Sequence, residues 1–294
     1  MEITYSLIIP HYNIPELLER LLSTIPKRND LQVIVVDDCS TKNLSELNHL
    51  KEKYKWIEWH NTGTNGGGGK ARNIGLTYAC GKYVLFADAD DYFFPQFEMI
   101  LDNYKNSHAD VIYFNIGEEA NTIPSKRVLE YNRIMDKIGI SEKYAINDLR
   151  FKYHCPWAKL IRIEIIKNFN IKFEEAIIHN DVLFSGKVGI YSTNIEITRI
   201  KAYCLTERTN SVSKILSKAQ RLSRVKTFAQ LNVEFKKNNI DRTDLLMLEP
   251  PIYFLKNFNL VALQESLKIL KSYNFSIFKC MLLKFLQIIN VLGR

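Results

Sequence analysis

Short apolar runs rich in β-branched residues alternate with segments of helical spacing over roughly the first third of the chain. Residues 5–10 (YSLIIP) and 31–37 (LQVIVVD) are such runs, and between them Leu17, Leu18, Leu21 and Leu22 recur at helical spacing behind Pro15. This predicts a strand–helix–strand unit. The Val and Ile positions do not alternate with polar ones, so both strand faces should be covered, as in a parallel sheet with helices on each side. Asn13 is the expected N-cap of the first helix, with Pro15 and Glu16 in its first turn. Further on, the pattern predicts a helix over 45–54, a short strand over 56–60, a helix over 70–79, a strand over 82–87, a helix over 95–105 and a strand over 110–115. Such alternation is that of an α/β layer fold. Residues 116–150 are weakly patterned and polar, as in an insertion or acceptor-side loops. Beyond 213 the spacing turns helical, as at Ala219, Leu222, Val225 and Phe228, which predicts a helical C-terminal appendage.

Composition supports a globular protein and locates its charge. With 294 residues, 46% of them hydrophobic, the chain can bury a full core, and its 12 glycines and 8 prolines exclude a low-complexity sequence. Residues 1–213 carry 26 Lys+Arg and 27 Asp+Glu, whereas 214–294 carry 14 and 5, so the surplus of +8 is wholly C-terminal. A basic, aromatic-containing tail suits an anionic membrane face better than nucleic acid, because no nucleic-acid recognition motif accompanies it. The last segment, 275–294, is strongly apolar but interrupted by Lys279, Lys284, Gln287 and Asn290; it reads as a helix on an anionic inner leaflet, or as one packed on the rest of the chain or on a homodimer partner. The five cysteines are scattered without a C-x-x-C pair, which points to reduced thiols. The start, MEITYSLIIPHYN, lacks the features of a secretory leader, so a cytoplasmic protein is expected, peripheral on the inner face of the plasma membrane if the tail binds lipid.

The candidate chemistry lies at strand ends. VLFADADDYFFP puts Asp88, Asp90 and Asp91 directly after an apolar strand. In open α/β sheets ligands bind at that end, where hard carboxylate oxygens suit Mg or Mn bridging a diphosphate; the plainer reading is a solvated acidic turn. VVDDCS ends a second strand with Asp37 and Asp38, which can accept from a base or ribose, or serve as cap or turn residues. In GGGGKARN the glycines permit close backbone approach, and Lys70 or Arg72 can meet phosphate oxygens. This stretch is not a Walker A loop, since Thr64 and Ala71 stand where that motif needs Gly and Ser or Thr. It does satisfy G-x-G-x-x-A, but behind a short polar strand and not the opening strand of a βαβ unit.

Taken together, SLIIPHYN, VIVVDDCS, GGGGKARNIGL, GKYVLFADADDYFFP, WAKLIRIEII and HNDVLF resemble the ordered motifs of family 2 glycosyltransferases with a GT-A fold, over roughly residues 5–213. The resemblance implies a Rossmann-like, mixed but mostly parallel sheet flanked by helices, with a nucleotide-sugar half over 1–105, an acceptor half over 106–213 and the basic helical region over 214–294. It implies an inverting transfer from a nucleotide-sugar, with UDP favoured, to a glycan or lipid-linked saccharide hydroxyl in surface polysaccharide synthesis. Tyr12 and Asp38 would hold the base, with Pro10 shaping the loop, Asp88 would hold ribose and metal, Asp90 the metal, and Arg72 would meet the donor's uridine and phosphates. Asp91 would brace the loop. Asp181 would be the general base, in a position where it could otherwise only cap a helix.

Departures from the family pattern are Asn180 in place of the common Glu and Cys39 in place of a glycine. Arg208 and Ser211 resemble diphosphate contacts, or a solvated loop, and Trp157 is either a sugar platform or a buried core residue. The competing classes are a sugar-nucleotide nucleotidyltransferase, which would want an N-terminal basic, glycine-rich triphosphate loop that PHYNIPELLER lacks, and a catalytically silent sugar-nucleotide-binding protein, which would have no need of Asp88, Asp90 and Asp181.

Overall fold

The computed structural model describes residues 2–119, 124–176, 178–206, 216–241 and 245–276. The chain divides into two compact units, Met1–Thr209 and Asn210–Arg294.

The first unit opens with β1 (Tyr5–His11), α1 (Pro15–Ser23), β2 (Leu31–Asp37), α2 (Leu44–Lys53), β3 (Glu58–Asn61), α3 (Gly67–Tyr78) and β4 (Tyr83–Phe86). It continues through β5 (Tyr92–Phe93), α4 (Phe97–Tyr104), β6 (Val111–Glu118), α5 (Lys126–Asp136), α6 (Glu142–Phe151), β7 (Lys159–Arg162), α7 (Ile163–Asn168), α8 (Val182–Tyr191) and β8 (Ile195–Leu205). The strands form one mixed sheet in the order β3-β2-β1-β4-β7-β6-β8-β5. The half from β3 to β4 is parallel throughout, with Tyr5 opposite both Leu31 and Tyr83. The pairs β4·β7, β6·β7 and β5·β8 are antiparallel, and β6·β8 is parallel. The unbroken apolar runs of β1, β2 and β4 are buried along both faces, which is why they carry no alternation.

Two expectations need correction. Asn13 does not cap α1: the N-cap is Ile14, without a side-chain cap bond. Asn13 adopts a left-handed φ of 58° and instead links two loops, its Oδ1 accepting from the amides of Thr41 at 2.7 Å and Lys42 at 2.9 Å. The described residues within 116–150 also form regular elements and not a loop insertion. β6 runs on to Glu118, and α5 and α6 follow. Helix α5 buries Val128, Tyr131, Ile134 and Met135, a helical stripe diluted in the sequence by the charged residues around it.

Glycines let α3 lie close to its neighbours. A Cβ on Gly75 would stand 2.5 Å from Ile8 Cγ2 in β1, and one on Gly69 would stand 2.1 Å from the carbonyl oxygen of Glu174. The second unit contains α9 (Lys218–Lys237), a 3-10 turn at Leu245–Leu248, α10 (Glu249–Lys256) and α11 (Leu260–Ser272). Ser217 and Gln220 close a capping box at the start of α9, and Asn259 caps α11 by accepting from the Ala262 amide at 3.0 Å. No described helix is long and apolar enough to cross a membrane. The segment 277–294 lies outside the described residues.

Candidate active site

The ends of β1 and β2 bring two acidic residues into different tasks. His11 is buried and donates from Nδ1 to Asp37 Oδ1 at 2.9 Å, while its Nε2 accepts from the Ile14 amide at 3.2 Å, which identifies the Nδ1–H tautomer. Burial opposes ionisation of Asp37, but the bonds from His11 and from the Ser40 hydroxyl and amide outweigh it and hold the carboxyl below its usual pKa. Asp38 turns the other way. It is 3% exposed, and its carboxylate accepts from Thr62 Oγ1 at 2.8 Å and from the amides of Gly66 at 2.9 Å and Gly67 at 2.6 Å. Asp38 thereby anchors the start of α3. Tyr12, 44% exposed, follows β1 on the adjoining loop, and Pro10 lies opposite Val36 in the sheet.

Beyond β4 the three aspartates part company. Asp91 is buried; its Oδ2 accepts from Tyr203 Oη at 2.6 Å and its Oδ1 from the Thr206 amide at 2.8 Å. Tyr203 Oη in turn accepts from the Asp88 amide at 3.0 Å, and its ring stacks on buried Trp157 at 5.6 Å between centroids. Asp91, Tyr203 and Trp157 thus brace the loop, and Trp157 is a core residue in this arrangement. Burial, then the charges of Asp88 and Asp90, push the Asp91 carboxyl well above its usual pKa. Arg20 Nη2 and Thr206 Oγ1 both donate to the Asp90 carbonyl, each at 2.5 Å.

Arg72 crosses from α3 to this loop. It is 7% exposed, donates from Nη2 to Asp88 Oδ1 at 2.5 Å and from Nη1 to Asn180 Oδ1 at 3.2 Å, and lies 5.4 Å from the centre of the Phe173 ring. Asp88 remains about one-third exposed at 32% of its side chain, so a ligand can reach it. Asp88 and Asp90 together offer hard oxygen donors suited to Mg or Mn. Among the described residues no group of three or more ligating side chains converges, so a cation here would need further oxygens from a ligand or water, as one carrying a diphosphate does.

Asp181 stands at the N-cap position of α8, yet its side chain makes no cap bond. Burial raises its pKa; Arg72 is the largest opposing influence, Asp88 adds to the rise and His154 counters it. The later part of the first unit adds residues that motif reading passed over. Arg127, at the start of α5, is within electrostatic reach of Cys155, Asp181 and Asp88. Lys159, at the start of β7, is 2% exposed, lies 5.3 Å from the centre of the Tyr113 ring and is pushed down to about 8 by burial. Its only signal in the sequence was a lysine among apolar residues in PWAKLI. Arg208 and Ser211 lie outside the described residues.

The model of "Glycosyl transferase family 2" matches residues 6–169. A poly(ribitol-phosphate) beta-N-acetylglucosaminyltransferase, TarS of Staphylococcus aureus, is 30% identical over 68% of this chain and 35% of its own length. The chain therefore spans about a third of that relative. The crystal structure of S. aureus TarS residues 1–349 with UDP-GlcNAc aligns with a TM-score of 0.64 at 24% identity, over 84% of this chain and 71% of that one. A mannosyltransferase from Pyrobaculum calidifontis, solved with GDP-Man and Mn2+, aligns with a TM-score of 0.54 at 16% identity, over 99% and 81%.

Proposed function

Because the chain belongs to glycosyl transferase family 2, we propose that it is an inverting, metal-dependent transferase moving a sugar from a UDP-sugar to a hydroxyl of a glycan or lipid-linked saccharide in surface polymer synthesis. The observation that carries this reading is Arg72, a single guanidinium bonded both to Asp88 and to Asn180, the residue beside Asp181. It couples a donor-side carboxylate to the loop that bears the base.

In this reading Pro10, Tyr12 and Asp38 border the nucleotide base, and Asp88 meets the ribose. Arg72 turns its guanidinium to the diphosphate, where its donors offset the charge left on the departing nucleotide. Asp90 and Asp88 would hold Mn or Mg, which would add positive charge beside the leaving diphosphate. Asp181 takes the acceptor hydroxyl's proton as that oxygen bonds to the anomeric carbon and the bond to the diphosphate oxygen breaks; an α-linked donor then yields a β-linked product. The raised pKa of Asp181 suits this role, since a carboxylate with greater proton affinity is a stronger base. Arg72, Arg127 and Lys159 all lie within electrostatic reach of Asp181. That supports an acceptor with anionic groups, of the kind named for the poly(ribitol-phosphate) relative. The +9 balance of residues 214–294 supports work at the inner face of the plasma membrane.

Calorimetric titration with UDP-, GDP- and dTDP-sugars, with and without Mn, tests the donor half. A UDP-sugar should bind at least about tenfold tighter than the others, and tighter with Mn than without. Failure of every nucleotide-sugar to bind would overturn the proposal.

A further inference from the structure

The turn between α10 and α11 exposes apolar side chains that its own fold does not require. The inner residues of this hairpin, Phe254, Ala262 and Leu270, are buried. At the tip, Phe258 is 88% exposed, Leu260 67%, Val261 64% and Leu255 49%. Phe258 also has a left-handed φ of 54°, a conformation that favours Gly or Asn and is costly for a bulky side chain. The turn itself is well formed. The Asn259 amide donates to the Phe254 carbonyl at 2.9 Å and the Phe258 amide to the Leu255 carbonyl at 3.2 Å. A large apolar residue thus occupies a strained and largely exposed position in a closed turn, where an asparagine would fit better and be better solvated. Cost on both counts points to a role outside the fold.

The charge around the tip says what covers it. No Asp or Glu occurs between Glu249 and Glu265, Lys256 sits within the tip, and residues 214–294 carry 14 Lys+Arg against 5 Asp+Glu. Four exposed apolar side chains on one turn, with Lys256 among them and no acidic residue from 250 to 264, match the boundary of an anionic bilayer, where apolar groups enter the acyl layer and cations meet headgroups. A second copy of the chain fits less well, because four side chains fall far short of the roughly twenty residues a side that a stable interface takes.

We propose that the α10–α11 tip, through Phe258, Leu260 and Val261, inserts into the surface of an anionic membrane. This deepens the proposed placement at the inner leaflet and is independent of the transfer chemistry.

The test is flotation of the full chain with phosphatidylcholine vesicles, with and without phosphatidylglycerol, at low and high salt. The wild type should float with the anionic vesicles and be released by salt. Phe258→Asn combined with Leu260→Gln should lower the partition coefficient by about tenfold or more. Phe258→Asn alone suits the left-handed position, so its melting temperature should not fall, which separates lost binding from lost folding. Phe258→Trp should be quenched by brominated phosphatidylglycerol. Vesicle binding unchanged by the paired substitution, no binding by the wild type, or self-association that the substitutions abolish would each overturn the proposal. UDP release with a water-soluble acceptor should be equal in wild type and paired variant, so loss of the membrane role is distinguishable from loss of the enzyme.

Discussion

Asp181 heads α8 without capping it, and that is the residue-scale fact on which the proposed chemistry turns. Its carboxyl is raised by burial, so catalytic competence should fall as pH drops toward that raised value and not only in the ordinary aspartate range. We expect the acidic limb of the kcat/KM profile to lie above the ordinary aspartate range, and Asp181→Asn to lower kcat by about 10²- to 10⁴-fold with donor affinity retained. Lys159 carries a separate cost. Its proton is held less tightly in the folded chain, at about 8, than in the unfolded one, so its contribution to stability is worst below pH 8 and improves as pH rises toward the ordinary lysine value of ~10.4. Lys159→Met should therefore raise stability near neutrality by about 1–3 kcal/mol and flatten that alkaline rise, measured by denaturant unfolding across pH. Cys39 is strained in another way, with a left-handed φ of 59° that glycine adopts without cost, although its Sγ lies 3.3 Å from Asn61 Oδ1. Cys39→Gly should stabilise by about 0.5–1 kcal/mol in the same assay.

At the scale of elements, α3 is central to the site, because its glycines bring it against Ile8 of β1 on one side and Glu174, Ala176 and Asn180 on the other. Gly69→Ala would drive a methyl to 2.1 Å from the Glu174 carbonyl and toward Asn180. We expect a loss of about 1–3 kcal/mol in stability and a larger loss in transfer than in nucleotide binding, since the displaced segment leads to Asp181. How much of this was readable in the sequence follows from range. β1, β2 and β4 announce themselves through unbroken Val, Ile and Leu runs, and their carboxylates sit at the strand ends where such folds bind ligands. α5 and α6 were hidden because their buried stripes are interleaved with charge. Asn13 looked like a cap because local spacing says nothing of Thr41 and Lys42, its actual partners 28 and 29 residues away. Tyr203 was invisible for the same reason, reaching Asp91 across 112 residues. Asp38 announced an acidic strand end, but its bonds to the Gly66 and Gly67 amides depend on a loop whose path no pattern encodes.

For the molecule as a whole, charge and chemistry fall in different parts of the chain. Residues 1–213 are nearly neutral and hold every candidate site residue, whereas 214–294 hold the basic surplus and the exposed α10–α11 tip. A division of this kind lets attachment and transfer be altered separately, as the vesicle and donor experiments require. The central claim is inverting transfer by the base at Asp181, and the stereochemistry of the product tests it most directly. Anomeric configuration should be read by NMR on the isolated product made from an α-linked UDP-sugar, with Asp181→Asn as the paired control. A β-linkage, formed by the wild type and lost with Asp181→Asn, is the expected result; an α-linkage, or full transfer by the variant, would contradict it.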